Sequence, residues 1–158
     1  ARGRFFSCKD YAVQTSPRHL RADNAIFIHG CVCMAAVIAI CIGACLGALA
    51  RWQLSIQFNT SDMLPWGTLY ANLIGGYLIG VCVAVFQQAP ELDPLWRLLL
   101  VTGFLGALTT FSSFSSEVVQ MLLNARYAMA LLTAGLHLFG SLLCTWVGIK
   151  SVEWLWAR

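Results

Sequence analysis

Polarity along the chain alternates between long apolar runs and short polar joints. No Asp, Glu, Lys or Arg occurs in residues 24–50, 64–90, 98–116 or 127–149. A helix needs about 20 apolar residues to cross the hydrocarbon core of a bilayer, and each run is close to that length or longer. The pattern predicts an all-α membrane protein with four transmembrane helices, at about 34–54, 67–87, 95–122 and 127–149. Residues 34–158 then form one four-helix transmembrane domain, and short loops leave no room for a soluble catalytic unit.

Composition agrees. Of 158 residues, 59% are hydrophobic and 11% charged, with mean hydropathy +0.72. A soluble domain of this size has too much surface to hide so much apolar side chain. The seven cysteines (8, 31, 33, 41, 45, 82 and 144) are odd in number and lack zinc-site spacing, so they read as small apolar packing residues. Residues 1–33 stand apart, with Arg2, Arg4, Lys9, Arg18 and Arg21 set against Asp10 and Asp23. They are expected to be an upstream extension, disordered or non-native. The run from Met34 is too long for a signal peptide and leads to no cleavage site.

Loop charge bears on orientation. With residues 1–33 set aside, Arg97, Lys150 and Arg158 share one side of the membrane and Arg51 and Arg126 the other. Three against two is a weak positive-inside bias, compatible with insertion both ways round and antiparallel pairing. Counting the extension makes it eight against two and argues for one orientation.

Polar residues inside the spans carry the candidate chemistry. In the first span, Gly43 and Gly47 lie four apart, a spacing that lets another helix approach closely. Arg51 follows one turn later, either snorkelling to the interface or facing a water-filled vestibule where it concentrates anions. In the second, Trp66 and Tyr70 suit an interfacial belt. Asn72 precedes Gly75, Gly76 and Gly80. Its amide needs partners in hydrocarbon, from another helix or from ions in a polar pore.

The third span contains Gly103–Glu117, in which nine of fifteen residues are Gly, Ser, Thr or Glu. Gly weakens a helix and consecutive Thr and Ser compete for its backbone bonds. A broken helix near Gly106–Thr110 is expected, its carbonyls freed for a small hard cation shared between two subunits. A packing helix rich in Ser and Thr is the alternative, but it leaves Phe111 and Phe114 inside the polar run unexplained. Inward ring edges are electropositive and suit an anion. The fourth span places Thr133, His137, Ser141 and Thr145 at successive spacings of four, one polar face that is either interhelical glue or a hydrophilic track.

These residues resemble the CrcB/Fluc family of fluoride ion channels. The matching stretches are Gly43-x-x-x-Gly47-x-x-x-Arg51-Trp52, Gly67-Thr68-Leu69-x-x-Asn72-Leu73-Ile74-Gly75 and Gly103-x-x-Gly106-x-x-Thr109-Thr110-Phe111-Ser112-x-Phe114-Ser115-x-Glu117. The resemblance covers roughly residues 34–150 and implies an antiparallel, dual-topology homodimer in a bacterial plasma (inner) membrane. It further implies two pores that let fluoride leave the cytoplasm passively, and one central Na⁺. Its implied partners are fluoride, the bilayer and a second copy, with no nucleic acid. Carried over by motif, Asn72, Phe111 and Phe114 line the pore, with Thr110, Ser112, Ser115 and Glu117 in the same motif. The backbone carbonyls of Gly106 and Thr109 hold Na⁺, and Arg51 stands at the vestibule. In the fourth span Thr133, His137 and Ser141 align by spacing alone, where many members have a tyrosine and then serines.

The competing reading is a small four-helix, dual-topology, proton-coupled exporter. It needs a membrane-embedded carboxylate in the first span, and no acid lies between Asp23 and Asp62. A non-transporting assembly subunit would leave the Thr-Thr-Phe-Ser-Ser-Phe-Ser run without a reason. An enzyme is disfavoured for want of a nucleophile–base pair, a phosphate loop or a metal cluster.

Overall fold

The computed structural model describes residues 22–59 and 64–158, with side chains from Cys33 onward. Every regular element among the described residues is helical. Four helices are long and apolar enough to cross a membrane: Cys33–Phe58, Trp66–Gln88, Pro94–Leu123 and Tyr127–Trp156. The first belongs to α1 (Ala22–Phe58) and the second is α2 (Trp66–Gln88). The third is composite, built from α3 (Pro94–Arg97), a π-helical stretch (Leu98–Leu105), α4 (Gly106–Leu108) and α5 (Phe111–Leu123). Helix α6 (Tyr127–Trp156) completes the set. Helix α1 begins upstream of the start expected near residue 34. Residues 1–21 of the expected extension lie outside the described residues.

Local chemistry sets the ends. Asp93 caps α3 by accepting the Leu95 N–H at 2.9 Å, and Pro94 occupies the first turn, where its missing N–H costs nothing. The turn from α5 to α6 returns the Arg126 N–H to the Met121 carbonyl at 2.8 Å and the Ala125 N–H to Leu122 at 3.0 Å. That double bond pattern needs a left-handed residue after the cap, and Ala125 supplies it at φ 56°. Within the third span, α4 stops at Leu108. The backbone is extended at Thr109 (φ −79°, ψ 149°) and Thr110 (φ −147°, ψ 118°) before α5 begins.

Glycines set how closely the helices approach. A Cβ on Gly43 would collide with the Leu99 carbonyl, and one on Gly47 with that of Phe104. Helix α1 thus lies backbone to backbone along the π-helical stretch, as the Gly43/Gly47 spacing predicts. Helix α2 packs on α6 the same way, through Gly76 against Ser141, Gly80 against Thr145 and Gly148 against Tyr77. Ala71, Leu105 and Leu108 form one buried apolar cluster, with Phe104, Leu54 and Leu78 packed around it.

Most large apolar side chains face outward, among them Leu46, Trp52, Leu131, Phe139 and Trp146. In a bilayer that surface meets lipid tails at no hydrophobic cost. Phe58, Tyr70 and Trp66 form an aromatic cluster at one end, with centroids 5.2 and 5.9 Å apart along the chain of contacts, as an interfacial belt requires. Cys41, Cys45, Cys82 and Cys144 are free thiols. Cys33 departs from the packing expectation, because it is disulfide-bonded.

Candidate functional site

The site is built around Thr109 and Thr110, where extended backbone turns polar groups away from the helix ladder. In a continuous helix the Thr110 N–H would close on the Gly106 carbonyl. Here it donates to Asn72 Oδ1 at 2.8 Å. The Ser113 N–H, which would close on Thr109, donates instead to Thr110 Oγ1 at 3.2 Å. This is an N-cap inside a transmembrane span: the Thr110 hydroxyl starts α5 as Ser or Thr starts a soluble helix. The Thr109 N–H and hydroxyl both return to the Leu105 carbonyl, at 3.0 and 2.9 Å. The carbonyls of Gly106 and Thr109 are thereby released from their usual helical donors.

Two side chains from other helices hold this interruption. Asn72, on α2, accepts from the Thr110 N–H and donates through Nδ2 to the Thr110 carbonyl at 3.1 Å. It therefore binds both sides of one residue, as a neighbouring β-strand would. Its Nδ2 also lies 3.0 Å from His137 Nδ1. Arg51, on α1, donates from Nε to the Ala107 carbonyl at 3.0 Å. A cation at the C-terminal end of α4 satisfies an orphan carbonyl and complements the helix dipole. Gly75 clears space for this arrangement, because a Cβ there would strike the Thr109 methyl.

Beside the interruption lies a part-open groove of about 510 Å³. Asn72, Gly106, Thr109, Thr110, Phe111, Phe114, His137 and Ser141 line it, so eight of the pore and ion-site residues expected from the sequence meet on one surface. Phe111 and Phe114 have centroids 5.5 Å apart, and Phe114 lies 4.6 Å from the His137 ring at 31°. Phe111 is 79% exposed, whereas His137 is buried. His137 Nε2 is a buried polar atom without a hydrogen-bond partner among the described residues.

Four of the expected residues lie off the groove lining. Thr133 is fully buried, and its hydroxyl donates to Met121 Sδ at 3.5 Å, where α5 meets α6. Ser112 is exposed and lies 3.3 Å from the Thr110 hydroxyl, Ser115 is half-buried on α5, and Arg51 reaches the interruption from behind. Thr145, the fourth member of the polar face read from the sequence, joins the lining. The structure also adds a contact the sequence did not reveal. Thr68 donates to Glu117 Oε1 at 2.5 Å, while Glu117 Oε2 is buried without a partner among the described residues. Only the four-residue spacing from Ser141 pointed to Thr145. Nothing local pointed from Thr68 to Glu117.

An all-helical, multi-pass membrane protein with a polar groove beside its third span is the class that these features define. Residues 38–149 match the family model described as CrcB-like protein, Camphor Resistance (CrcB), and the chain belongs to that family. It is 68% identical over 122 residues to a protein of Albidiferax ferrireducens, covering 77% of this chain and 94% of that one. It is 63% identical over 117 residues to one of Variovorax paradoxus, covering 74% and 94%. A third relative, from Pseudomonas aeruginosa, is 50% identical over 120 residues, covering 75% and 94%. Each of the three is named Fluoride-specific ion channel FluC.

Proposed function

We propose that the chain is a fluoride-selective passive ion channel that lets fluoride leave the cytoplasm and so limits its toxicity. The carrying observation is the groove beside Thr109–Thr110, which gathers neutral hydrogen-bond donors and two phenylalanines at membrane depth in a protein with close fluoride-channel relatives. Fluoride is small and strongly hydrated, so a pathway must replace its water with donors while holding it weakly enough to release it. His137 and Ser141 offer such donors, and the ring edges of Phe111 and Phe114 are electropositive without a full charge. Asn72 stands behind them, its amide engaged by Thr110 and His137.

The working unit in this reading is an antiparallel, dual-topology homodimer in a bacterial inner membrane. Two features favour a second copy. Phe111 is largely exposed in one protomer although it lines the groove, so its remaining contacts come from outside. Gly106 also lines the groove, and a Cβ there would meet only the Val101 carbonyl at 3.6 Å, so packing within the protomer does not demand glycine.

A Na⁺ ion fits between the copies. The donor set suits a hard cation, because the Gly106 and Thr109 carbonyls have lost the N–H groups that a continuous helix would bring them. Those carbonyls, two from each subunit, would hold it, and bound Na⁺ would supply a fixed positive charge near the pathway. The third span acts here as a broken helix whose freed polar groups serve the ion sites. Phe111→Ile is expected to reduce fluoride efflux from proteoliposomes while the dimer persists in detergent. Unchanged efflux would remove Phe111 from the pathway.

A further inference from the structure

Asn72 sits among groups whose donor and acceptor roles are settled by chemistry. The Thr110 N–H can only donate, so the Asn72 atom 2.8 Å from it is the amide oxygen. The Thr110 carbonyl can only accept, so the atom 3.1 Å from it is the amide nitrogen. Both assignments agree, and they exclude the flipped amide. The same nitrogen stands 3.0 Å from His137 Nδ1. An amide nitrogen offers two hydrogens and no acceptor, so one hydrogen goes to Thr110 and the other to Nδ1. Nδ1 therefore accepts and carries no proton. A neutral imidazole in this setting bears its hydrogen on Nε2.

That nitrogen is the one left over. His137 is 5% exposed, and its Nε2 has no hydrogen-bond partner among the described residues. The ring lines the groove together with Thr110 and Ser141, and Phe114 packs against it with centroids 4.6 Å apart. A buried N–H without an acceptor is a deficit that native structures rarely tolerate without a use.

We propose that Asn72 is a positioning residue that holds His137 in its Nε2–H tautomer, so that the imidazole always presents a neutral donor to a dehydrated fluoride ion. The inference rests on the fluoride-channel reading and deepens it by naming one donor and the cause of its polarity. In the opposite tautomer Nε2 would present a lone pair and repel an anion. The Thr110 backbone is what prevents the switch. It fixes the orientation of the Asn72 amide, and the amide in turn fixes the ring. The interruption of the third span thus serves a second purpose, as the template for a hydrogen-bond polarity carried across three elements. A neutral N–H also avoids the tight hold that an imidazolium would impose on the ion.

The test is ¹⁵N NMR of the full-length protein, labelled at its three histidines and reconstituted in lipid bilayers, with sodium fluoride as the probe. His137→Phe, which keeps a ring, identifies the His137 signals by their loss. The wild type is expected to show a protonated Nε2 and a bare Nδ1 at His137, with the Nε2 resonance moving on fluoride addition. Asn72→Asp, which places an acceptor at Nδ1, is expected to shift the proton to Nδ1. In efflux, His137→Phe should be roughly tenfold or more below the wild type, because a hydrogen bond to a charged partner is lost, and His137→Gln should recover part of it. A protonated Nδ1 in the wild type overturns the proposal, as does an Nε2 resonance that ignores fluoride. Wild-type vesicles that release no fluoride overturn the channel reading itself, a failure that the tautomer measurement distinguishes.

Discussion

At the scale of single residues, Asn72 ties α2 both to the interrupted third span and to α6. Its amide makes three hydrogen bonds, two of them to the Thr110 backbone. Asn72→Ala would leave the Thr110 N–H and carbonyl without these partners in a region where water cannot replace them. The expected loss is about 2–6 kcal/mol, combining penalties of about 1–3 kcal/mol for each of the two unsatisfied groups. It is measured as a lowered midpoint of unfolding in mixed detergent micelles. A variant as stable as the wild type would show that the interruption does not depend on this clamp. Arg51→Ala removes one bond, to Ala107, and should cost about 1–3 kcal/mol in the same assay.

The types of these residues were legible in the sequence, and their partners were not. An asparagine inside an apolar run announces that it needs partners. The choice of Thr110 depends on a contact 38 positions away along the chain. Arg51 reaches Ala107 across 56 positions, and neither the interface nor the vestibule reading of its sequence anticipated that carbonyl. Thr133 shows the same limit from the other side. Its spacing places it in line with His137 and Ser141, yet the facing element there is α5, and its hydroxyl meets Met121 rather than the groove.

At the scale of elements, the four spans were readable because charged residues bound every apolar run. The π-helical stretch Leu98–Leu105 was not, since its leucines and valine fit an ordinary helix equally well. Helix pairing rests on glycines, and this gives a contrast to measure. Gly80→Ala pushes a methyl into the Thr145 carbonyl on α6 and should cost about 1–3 kcal/mol, as overpacking does. Gly135→Ala meets nothing within 4 Å and is expected to be neutral or slightly stabilising. Equal effects at the two sites would contradict backbone contact between α2 and α6. The turn between α5 and α6 offers a gain instead. Ala125 holds a left-handed conformation that glycine adopts without penalty, so Ala125→Gly should stabilise the protein by about 0.5–1 kcal/mol in thermal unfolding.

At the scale of the whole molecule, one protomer leaves the groove part-open, Phe111 outside and Gly106 with room beside it. The second copy and shared Na⁺ proposed above would account for all three. Exchanging Na⁺ for a large organic cation is therefore expected to lower the dimer fraction in detergent, read by light scattering, and a dimer fraction indifferent to Na⁺ would remove the ion from the interface. The central claim concerns what crosses the membrane. Its most direct test is efflux from proteoliposomes holding the purified wild-type protein, followed with a fluoride electrode and in parallel with a chloride electrode. The account predicts rapid fluoride release once the membrane potential is collapsed, with chloride retained. Release of both anions alike, or of neither, would contradict it.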